Sequence, residues 1–200
     1  MSNCMMNFLE TDYYRHNGES TLAFIFRAVG VCYVAHQAIG QKRKFTGEDY
    51  YNHPLRVAQM MIDYQARYGV VVAALLHDVI EDTGLTVQDL KNLGIPDQII
   101  ENVCHLSEDK SIKREIRKAD TAERAKTWPT EVCTVKLGDI IDNYGSMELD
   151  VITPWQELYF TEGQRLVDSI ASNENAKNIP ADLLNKARQA VERINMVIPN

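Results

Sequence analysis

Residues 73–83 read AALLHDVIEDT, and this stretch does most to decide the fold. Apolar residues recur through it, and through the VVV that precedes it, at helical spacing, which predicts a helix over about 70–81. One face of that helix is apolar, and the opposite face gathers an imidazole and three carboxyl groups: His77, Asp78, Glu81 and Asp82. Like charges this close, beside a core, are unfavourable unless protons or a cation neutralise them. The stretch therefore predicts a buried helix that bears a divalent metal site.

Helical periodicity continues along almost the whole chain, and the alternation typical of β-strands is rare. Start and stop signals agree, since Thr86 with Asp89 resembles a capping pair and Gly94 suits a helix end. No repeat or linker-like segment divides the 200 residues, so we expect one domain, with a core at about 20–170 and a packing helix at about 180–197. The predicted fold is all-α, a helical bundle. The predicted helices are at about 20–40, 54–68, 70–81, 86–93, 96–106, 110–126, 130–145, 154–172 and 180–196.

Composition narrows the class of protein. A net charge of −7 argues against broad nucleic-acid binding, which needs a basic surface. We find no apolar run long enough to cross a bilayer, and the N-terminus lacks the basic start and apolar block of a signal peptide. The scattered cysteines are typical of reduced thiols: Cys4, Cys32, Cys104 and Cys133. We therefore expect a cytoplasmic protein that binds neither nucleic acid nor a membrane, with its oligomeric state left open.

Three separate stretches supply a candidate metal-binding set. Its members lie in YYNHPLRVA, in the 73–83 stretch and in VKLGDIIDN: His53, His77, Asp78 and Asp139. Two imidazoles with two carboxylates suit Mn²⁺, Fe²⁺ or Zn²⁺ better than Mg²⁺ or Ca²⁺. A His-Asp pair alone is weak evidence because such pairs are common by chance, but the Glu-Asp pair after it and the His-Pro pair before it strengthen the case. The other histidines are expected to be structural or surface residues: His16, His36 and His105.

Two groups of basic residues interrupt the acidic composition. One is Lys42-Arg43-Lys44. The other is spaced along one face of the predicted helix at 110–126: Lys110, Lys113, Arg114, Arg117 and Lys118. Each group alone is typical of a solvated surface. If both border the metal site, they instead predict a binding site for a small anion.

Four blocks of sequence resemble the HD-domain hydrolases of the RelA/SpoT alarmone family, most closely its small single-domain members. The blocks are GQKRKFTGEDYYNHPLRVA at 40–58, AALLHDVIEDT at 73–83, LSEDKS at 106–111 and VKLGDIIDN at 135–143. They occur in the family's order, over about residues 20–170. An HD and ED pair with both flanking blocks is a specific combination, whereas a lone HD pair is not.

The resemblance implies an HD-domain fold that binds one Mn²⁺ through His53, His77, Asp78 and Asp139. It implies a guanosine-3′,5′-bis(diphosphate) 3′-pyrophosphohydrolase of the stringent response. Such an enzyme converts (p)ppGpp, a small anionic nucleotide, to GDP or GTP plus pyrophosphate. Glu81 and Asp82 would then activate water and transfer protons. The implied substrate-binding residues are Arg43, Lys44, Lys110 and Asn143.

The sequence also departs from the family's pattern. Gly138 replaces the usual Ala of VKLAD, and Asp142 replaces a His or Tyr before Asn143. Tyr-Gly-Ser then follows, where the family often has Arg or Leu-Arg. The metal set is intact, so these changes bear on recognition of the base and ribose.

Two alternatives stay open beside a (p)ppGpp hydrolase. One is another HD-domain nucleotide phosphohydrolase, such as an NADPH phosphatase or a nucleoside 5′-monophosphatase, which needs the same metal. The other is a catalytically silent nucleotide-binding module. A purely structural helical protein would leave the carboxylate cluster of residues 78–82 unexplained.

Overall fold

The computed structural model describes residues 19–147 and 153–195, and its regular structure is helical. Within those residues a 3₁₀ turn, Ala176–Asn178, precedes the last helix, and an isolated β-bridge joins Lys42 to Asp49. The expected all-α fold is confirmed. Cys4 and His16 lie outside the described residues. The α-helices are α1 (Thr21–Ala38), α2 (Asn52–Asp63), α3 (Tyr68–Leu76), α4 (Val79–Asp82), α5 (Val87–Asn92), α6 (Asp97–Leu106), α7 (Arg114–Ala125), α8 (Thr130–Gly145), α9 (Pro154–Ala171) and α10 (Ala181–Asn195).

Helix α3 is the centre of the bundle. Its residues from Val70 to Leu76 are all buried, as expected of a helix that is apolar on every side. Helices α1, α2, α6 and α8 pack around it, and α10 covers α8 and α9. Each buried Val or Leu side chain stabilises the fold by about 1.5–3 kcal/mol relative to an exposed one. The end of α3 is therefore a rigid support for whatever follows it.

The single helix predicted at 70–81 is interrupted. Helix α3 ends at Leu76 and α4 begins at Val79, so His77 and Asp78 lie in a turn between them. Asp78 has φ −102° and ψ −5°, and Nδ1 of His77 donates a hydrogen bond to the carbonyl oxygen of Ala74 at 2.8 Å. The prediction of one continuous helix is therefore wrong here. In a regular helix the two side chains would point about 100° apart, whereas in the turn both face one point.

The basic helix face predicted at 110–126 does not form. Helix α7 begins at Arg114, because the preceding residues make a turn in which Asp109 Oδ1 accepts a hydrogen bond from the Ser111 N–H at 2.9 Å. The cations of α7 bind acidic side chains instead of forming an open patch. Arg114 pairs with Glu162 at 2.6 Å, and both Arg117 and Lys118 pair with Glu108 at 2.9 and 2.8 Å.

The smaller local predictions agree with the structure. Thr86 and Asp89 form a capping box at the start of α5, and Gly94, which follows that helix, has φ +72°. The helix predicted at 154–172 also begins where expected, with a capping box formed by Thr153 and Gln156. These local signals set the ends of the helices that frame the core.

Glycine allows a close approach between α8 and α2. A methyl group at Gly138 would lie 2.9 Å from Cε of Met61 and 3.2 Å from Cγ1 of Val57. A methyl group here would therefore require the flexible end of Met61 to move. The close contact brings the middle of α8, with Asp139, next to the first turn of α2, with His53.

Helix α1 has the length and composition of a membrane-spanning helix, with a mean hydropathy of 1.3 over 18 residues. The expectation that no such run exists is therefore wrong by this measure. Core helices of folded proteins pass the same test, and one face of α1 does pack into the core through Phe24, Ala28 and Cys32. Its other face exposes Phe26 and Val34.

Candidate metal centre

Three elements bring the predicted ligands together. His53 lies in the first turn of α2, His77 and Asp78 in the turn after α3, and Asp139 in the middle of α8. Ligand atoms of His53, His77 and Asp139 all lie within 4.8 Å of one another. Nε2 of His53 is 3.0 Å from Asp139 Oδ1, and Nε2 of His77 is 3.1 Å from Asp78 Oδ2. Two nitrogens and two carboxylates therefore surround one small volume.

Both imidazoles are oriented from behind. Nδ1 of His77 lies 2.8 Å from the carbonyl oxygen of Ala74, and Nδ1 of His53 lies 2.7 Å from Oδ2 of Asp142. Because each partner is a hydrogen-bond acceptor, each Nδ1 carries a proton, and Nε2 is the ring atom left to offer a lone pair to a metal ion. Both Nε2 atoms are buried and lack a hydrogen-bond partner among the described residues. Unpaired buried polar atoms are costly, so this donor set fits a divalent ion placed between the two rings.

The surrounding charges favour a cation at this point. Burial alone would raise the pKa of Asp139, but Lys136, His53 and His77 outweigh it and hold that pKa well below its usual value. Burial alone would lower the pKa of His77, but Asp78 and Asp139 outweigh it and raise that pKa well above its usual value. The negative charge of the two carboxylates therefore favours a positive charge at this point. A divalent ion bound between the rings would supply it.

Three further side chains hold the carboxylates in place. The hydroxyl of Tyr50 donates to Asp78 Oδ2 at 2.7 Å, and Nζ of Lys136 donates to Asp139 Oδ2 at 2.8 Å. The amide of Asn143 donates to the other oxygen of Asp139. These hydrogen bonds fix both carboxylates, with Asp78 Oδ2 and Asp139 Oδ1 next to the imidazoles.

Glu81 and Asp82 lie on α4, beside the centre, in different surroundings. Burial and the charge of Asp78 raise the pKa of Glu81, whose Oε2 accepts a hydrogen bond from the backbone N–H of Glu108 at 2.8 Å. Asp82 accepts a hydrogen bond from Nε2 of Gln41 at 2.7 Å and binds Nζ of Lys110. Glu81 therefore holds a proton more readily than an ordinary exposed glutamate does.

The predicted substrate-binding residues fall into two pairs. Arg43 is buried, and its guanidinium donates to Oδ1 of Asn143 at 2.7 Å, so these two residues contact each other and support the ligand set. Lys44 and Lys110 are both exposed. Lys110 lies at the rim of the site, 3.6 Å from Glu81 Oε1, and Lys44 lies over the ring of Trp155 at 3.5 Å. Contact between these four residues and a substrate stays a prediction.

Sequence reasoning assigned no function to several residues at this site. Lys136 stands three residues before Asp139 on one helix, a spacing that could have suggested contact. Asp142 stands three residues after Asp139, and its sequence context indicates only a departure from the family's pattern. Tyr50 and Gln41 reach the site from the loop before α2, and no sequence pattern indicates their contacts.

The fold and this cluster agree with a known family. Residues 31–132 match the family model described as HD domain. The chain therefore belongs to the HD-domain family. Membership implies a divalent metal ion, and the cluster of His53, His77 and Asp139 offers it a site.

Particular relatives within the family are small metazoan proteins. The chain is 32% identical to guanosine-3′,5′-bis(diphosphate) 3′-pyrophosphohydrolase MESH1 of Drosophila melanogaster over 146 residues, which cover 69% of this chain and 80% of that one. It is 32% identical to MESH1 of Mus musculus over 62% of this chain and 71% of that one. The resemblance to the RelA/SpoT hydrolases is thus confirmed.

Solved structures agree. A metazoan ortholog of SpoT, reported to hydrolyse ppGpp and to play a role in starvation responses, superposes with a TM-score of 0.75 at 26% identity, covering 88% of this chain and 97% of that one. The lmo0812 protein of Listeria monocytogenes superposes with a TM-score of 0.65 at 30% identity, covering 76% of this chain and 98% of that one. Both cover nearly the whole length of the matched protein.

Proposed function

We propose that this protein is a metal-dependent hydrolase that removes the 3′-pyrophosphate of (p)ppGpp, giving GDP or GTP and pyrophosphate. One observation carries the proposal. Two buried imidazole Nε2 atoms without hydrogen-bond partners among the described residues face two carboxylates. A Glu-Asp pair follows on α4, where the charge of Asp78 acts on Glu81. The MESH1 relatives, whose name states this activity, and the structurally similar ortholog of SpoT support the choice of substrate.

In this proposal His53, His77, Asp78 and Asp139 hold one Mn²⁺ ion. Mixed nitrogen and oxygen donors suit Mn²⁺ better than the oxygen-seeking Mg²⁺. When bound, such an ion activates water as a nucleophile near neutral pH and offsets phosphate charge. The chain's own contribution is the fixed orientation of the four side chains, through Ala74, Asp142, Tyr50, Lys136 and Asn143.

Glu81 and Asp82 are proposed to handle the protons of the reaction. The raised pKa of Glu81 brings it closer to neutral pH, where a carboxyl group is a more effective general acid or base. Asp82, held by Gln41 and Lys110, keeps a fixed position next to it. The pair would accept a proton from the attacking water and deliver one to the departing nucleotide 3′ oxygen.

The rim of the site supplies cations for an anionic substrate. Lys110 is exposed there and Lys44 is exposed over Trp155, and we propose that both contact phosphate groups. Arg43 and Asn143 are proposed to act at the inner wall, where they contact each other and Asn143 contacts the proposed ligand Asp139. The partner would thus be a small nucleotide rather than a nucleic acid, since the net charge of the chain is −7.

We further propose that residues 1–200 form a single HD hydrolase domain that works in the cytoplasm. Buried thiols at Cys32 and Cys133, both free, are consistent with a reducing compartment. Burial raises the pKa of each thiol to about 12, which keeps both unreactive.

A substrate panel tests the proposal. Metal-free protein is supplied with Mn²⁺ and then with ppGpp, pppGpp, NADPH or a nucleoside 5′-monophosphate, and released pyrophosphate and orthophosphate are measured separately. We expect pyrophosphate from the two alarmones, with GDP and GTP as the nucleotide products. If orthophosphate is released from NADPH or from the monophosphate and the alarmones stay intact, the proposal is contradicted and another HD-domain phosphohydrolase activity is indicated. Binding of ppGpp without any product would indicate a silent module.

A further inference from the structure

Asp142 lies behind one metal-ligand candidate, on the far side of its ring from the metal centre. Its Oδ2 is 2.7 Å from Nδ1 of His53, whereas Nε2 of the same ring faces the centre. The side chain of His53 is fully buried, so water does not compete for this contact. The partner of the second imidazole is a neutral carbonyl, that of Ala74. The two histidines are therefore oriented by different chemistry.

Two arginines hold the carboxylate of Asp142. Arg56 donates from Nε to Oδ1 at 2.5 Å and from Nη2 to Oδ2 at 3.2 Å, and Arg43 donates from Nη2 to Oδ2 at 3.2 Å. Arg56 is itself anchored by Glu48 at 2.7 Å. A carboxylate with this many donors has little freedom to rotate, and it stays ionised.

We propose that Asp142 is a positioning residue that fixes the His53 imidazole with Nδ1 protonated and Nε2 turned to the metal, as part of an Asp–His–metal triad. A carboxylate behind a ligating imidazole orients the ring and raises its basicity, and loss of such a partner typically costs about 10–100-fold in metal affinity. Arg43 thereby gains a role through Asp142 that its expected contact with substrate does not include. The sequence departure at this position becomes part of the metal site.

The inference rests on the proposed metal site but does not depend on the identity of the substrate. Its test is the titration of metal-free protein with Co²⁺, followed by visible absorption, for the wild type, Asp142→Asn and Glu48→Gln. The Asp142→Asn substitution keeps the shape of the side chain but removes its negative charge. Glu48→Gln is the matched control, since Glu48 shares Arg56 with Asp142 but does not hydrogen-bond to His53.

We expect Asp142→Asn to raise the Kd for Co²⁺ by about 10–100-fold and to alter the absorption bands, while Glu48→Gln keeps both wild-type values. A folded Asp142→Asn protein with wild-type Kd and bands would overturn the inference and leave the metal site standing. A wild-type protein that binds no Co²⁺ would overturn the metal site and the inference together. These outcomes are therefore distinguishable from a failure of ppGpp hydrolysis.

A second measurement uses the wild-type protein alone. It tests the proposed orientation of the His53 ring even if the Asp142→Asn protein does not fold. Long-range ¹H–¹⁵N NMR spectra of the Zn²⁺-loaded wild type report which nitrogen of each histidine carries the proton. We expect His53 and His77 both to be protonated at Nδ1, with the His53 proton shifted downfield by its carboxylate partner. A His53 ring protonated at Nε2 would contradict the proposal.

Discussion

Oε2 of Glu81 accepts a hydrogen bond from the backbone N–H of Glu108 at 2.8 Å, although the two residues are 27 positions apart. This contact ties α4 to the loop between α6 and α7. The carboxylate of Glu108 is in turn held by Lys118 and Arg117 at the start of α7. Glu81, which is proposed to carry protons, is thus held in place by a loop that contributes no ligand to the proposed metal site.

The first prediction concerns the Glu-Asp pair. We expect Glu81→Gln and Asp82→Asn each to lower kcat for ppGpp by about 10²–10⁴-fold, the usual contribution of a positioned acid or base. Metal affinity should stay near the wild-type value, because neither residue belongs to the ligand set. The Glu81→Gln side chain would still offer an oxygen to the Glu108 N–H. Steady-state kinetics and Mn²⁺ titration measure the two quantities.

A matched control for this pair is Glu115→Gln, an exposed carboxylate on α7. It should leave kcat unchanged. Wild-type turnover in both Glu81→Gln and Asp82→Asn would refute their assigned role. A loss of metal affinity equal to the loss of rate would move them into the ligand set instead.

The second prediction is a pH dependence of stability. Burial opposes ionisation of Glu108, but Lys118 outweighs it and holds the pKa below its usual value. The unfolded chain then binds the proton more tightly, so this stabilisation is fully present above the unfolded pKa of about 4.3 and is lost as pH falls through the folded pKa. We expect Glu108→Gln to lower the free energy of unfolding at pH 7 by about 1.5–3 kcal/mol, the usual contribution of hydrogen bonds to a charged group.

Urea denaturation between pH 7 and pH 3 measures this difference. The gap between wild type and Glu108→Gln should stay constant down to about pH 4.3, the unfolded pKa, and narrow below it. A gap that stays constant over this range would show that the charge of Glu108 is not what stabilises the fold.

The third prediction concerns the rim. Lys110→Met removes a cation beside Glu81 and Asp82 while keeping an unbranched side chain. We expect the KM for ppGpp to rise by about 10–100-fold, which corresponds to one charged hydrogen bond of about 1.5–3 kcal/mol. Lys113→Met, an exposed lysine just before α7, is the control and should not change KM. Equal kinetics for the two variants would remove Lys110 from the substrate site.

The fourth prediction compares two glycines in helices. A methyl group at Gly163 would collide with the ring and hydroxyl of Tyr144. The ring of Tyr144 is stacked on that of Tyr159, with 4.5 Å between centroids, and the Tyr144 hydroxyl donates to the carbonyl oxygen of Tyr159 at 2.6 Å. Since this ring cannot give way, Gly163→Ala should destabilise the fold by about 1–3 kcal/mol. At Gly138 the nearest atom is the flexible end of the Met61 side chain. The better helix propensity of Ala contributes about 1 kcal/mol, which offsets the cost of this contact. The net change in the free energy of unfolding should therefore be small.

Chemical denaturation of Gly138→Ala and Gly163→Ala gives both values under one set of conditions. A larger loss of stability at position 138 than at position 163 would contradict the packing described here. That outcome would mean that Met61 and Val57 are held more firmly than Tyr144.

Much of the fold was predictable because its signals are local. Apolar spacing, capping pairs and glycines after helices gave the all-α architecture and most helix ends. The exceptions depend on distant contacts. No local signal shows that the helix stops at Leu76, because the apolar pattern runs on through Val79 and Ile80.

The site was predictable where residue types carry the chemistry and not where tertiary packing assigns partners. His53, His77, Asp78 and Asp139 stand out by type and sequence context, and the structure brings them together. The expected basic face does not form because Arg114 forms an ion pair with Glu162, a residue 48 positions later. The contact of Asp142 with His53 spans 89 positions and requires the close packing of α8 on α2.

The most direct test of the account is a count of bound metal. Wild-type protein and alanine variants of His53, His77, Asp78 and Asp139 are equilibrated with Mn²⁺, and the ion is measured by mass spectrometry, with exposed Asp168→Ala as the control. We expect one ion per chain in the wild type and in Asp168→Ala, with loss of the ion in each of the four ligand variants. Full occupancy in His53→Ala and Asp139→Ala would contradict the central claim that three separate segments meet around a single cation.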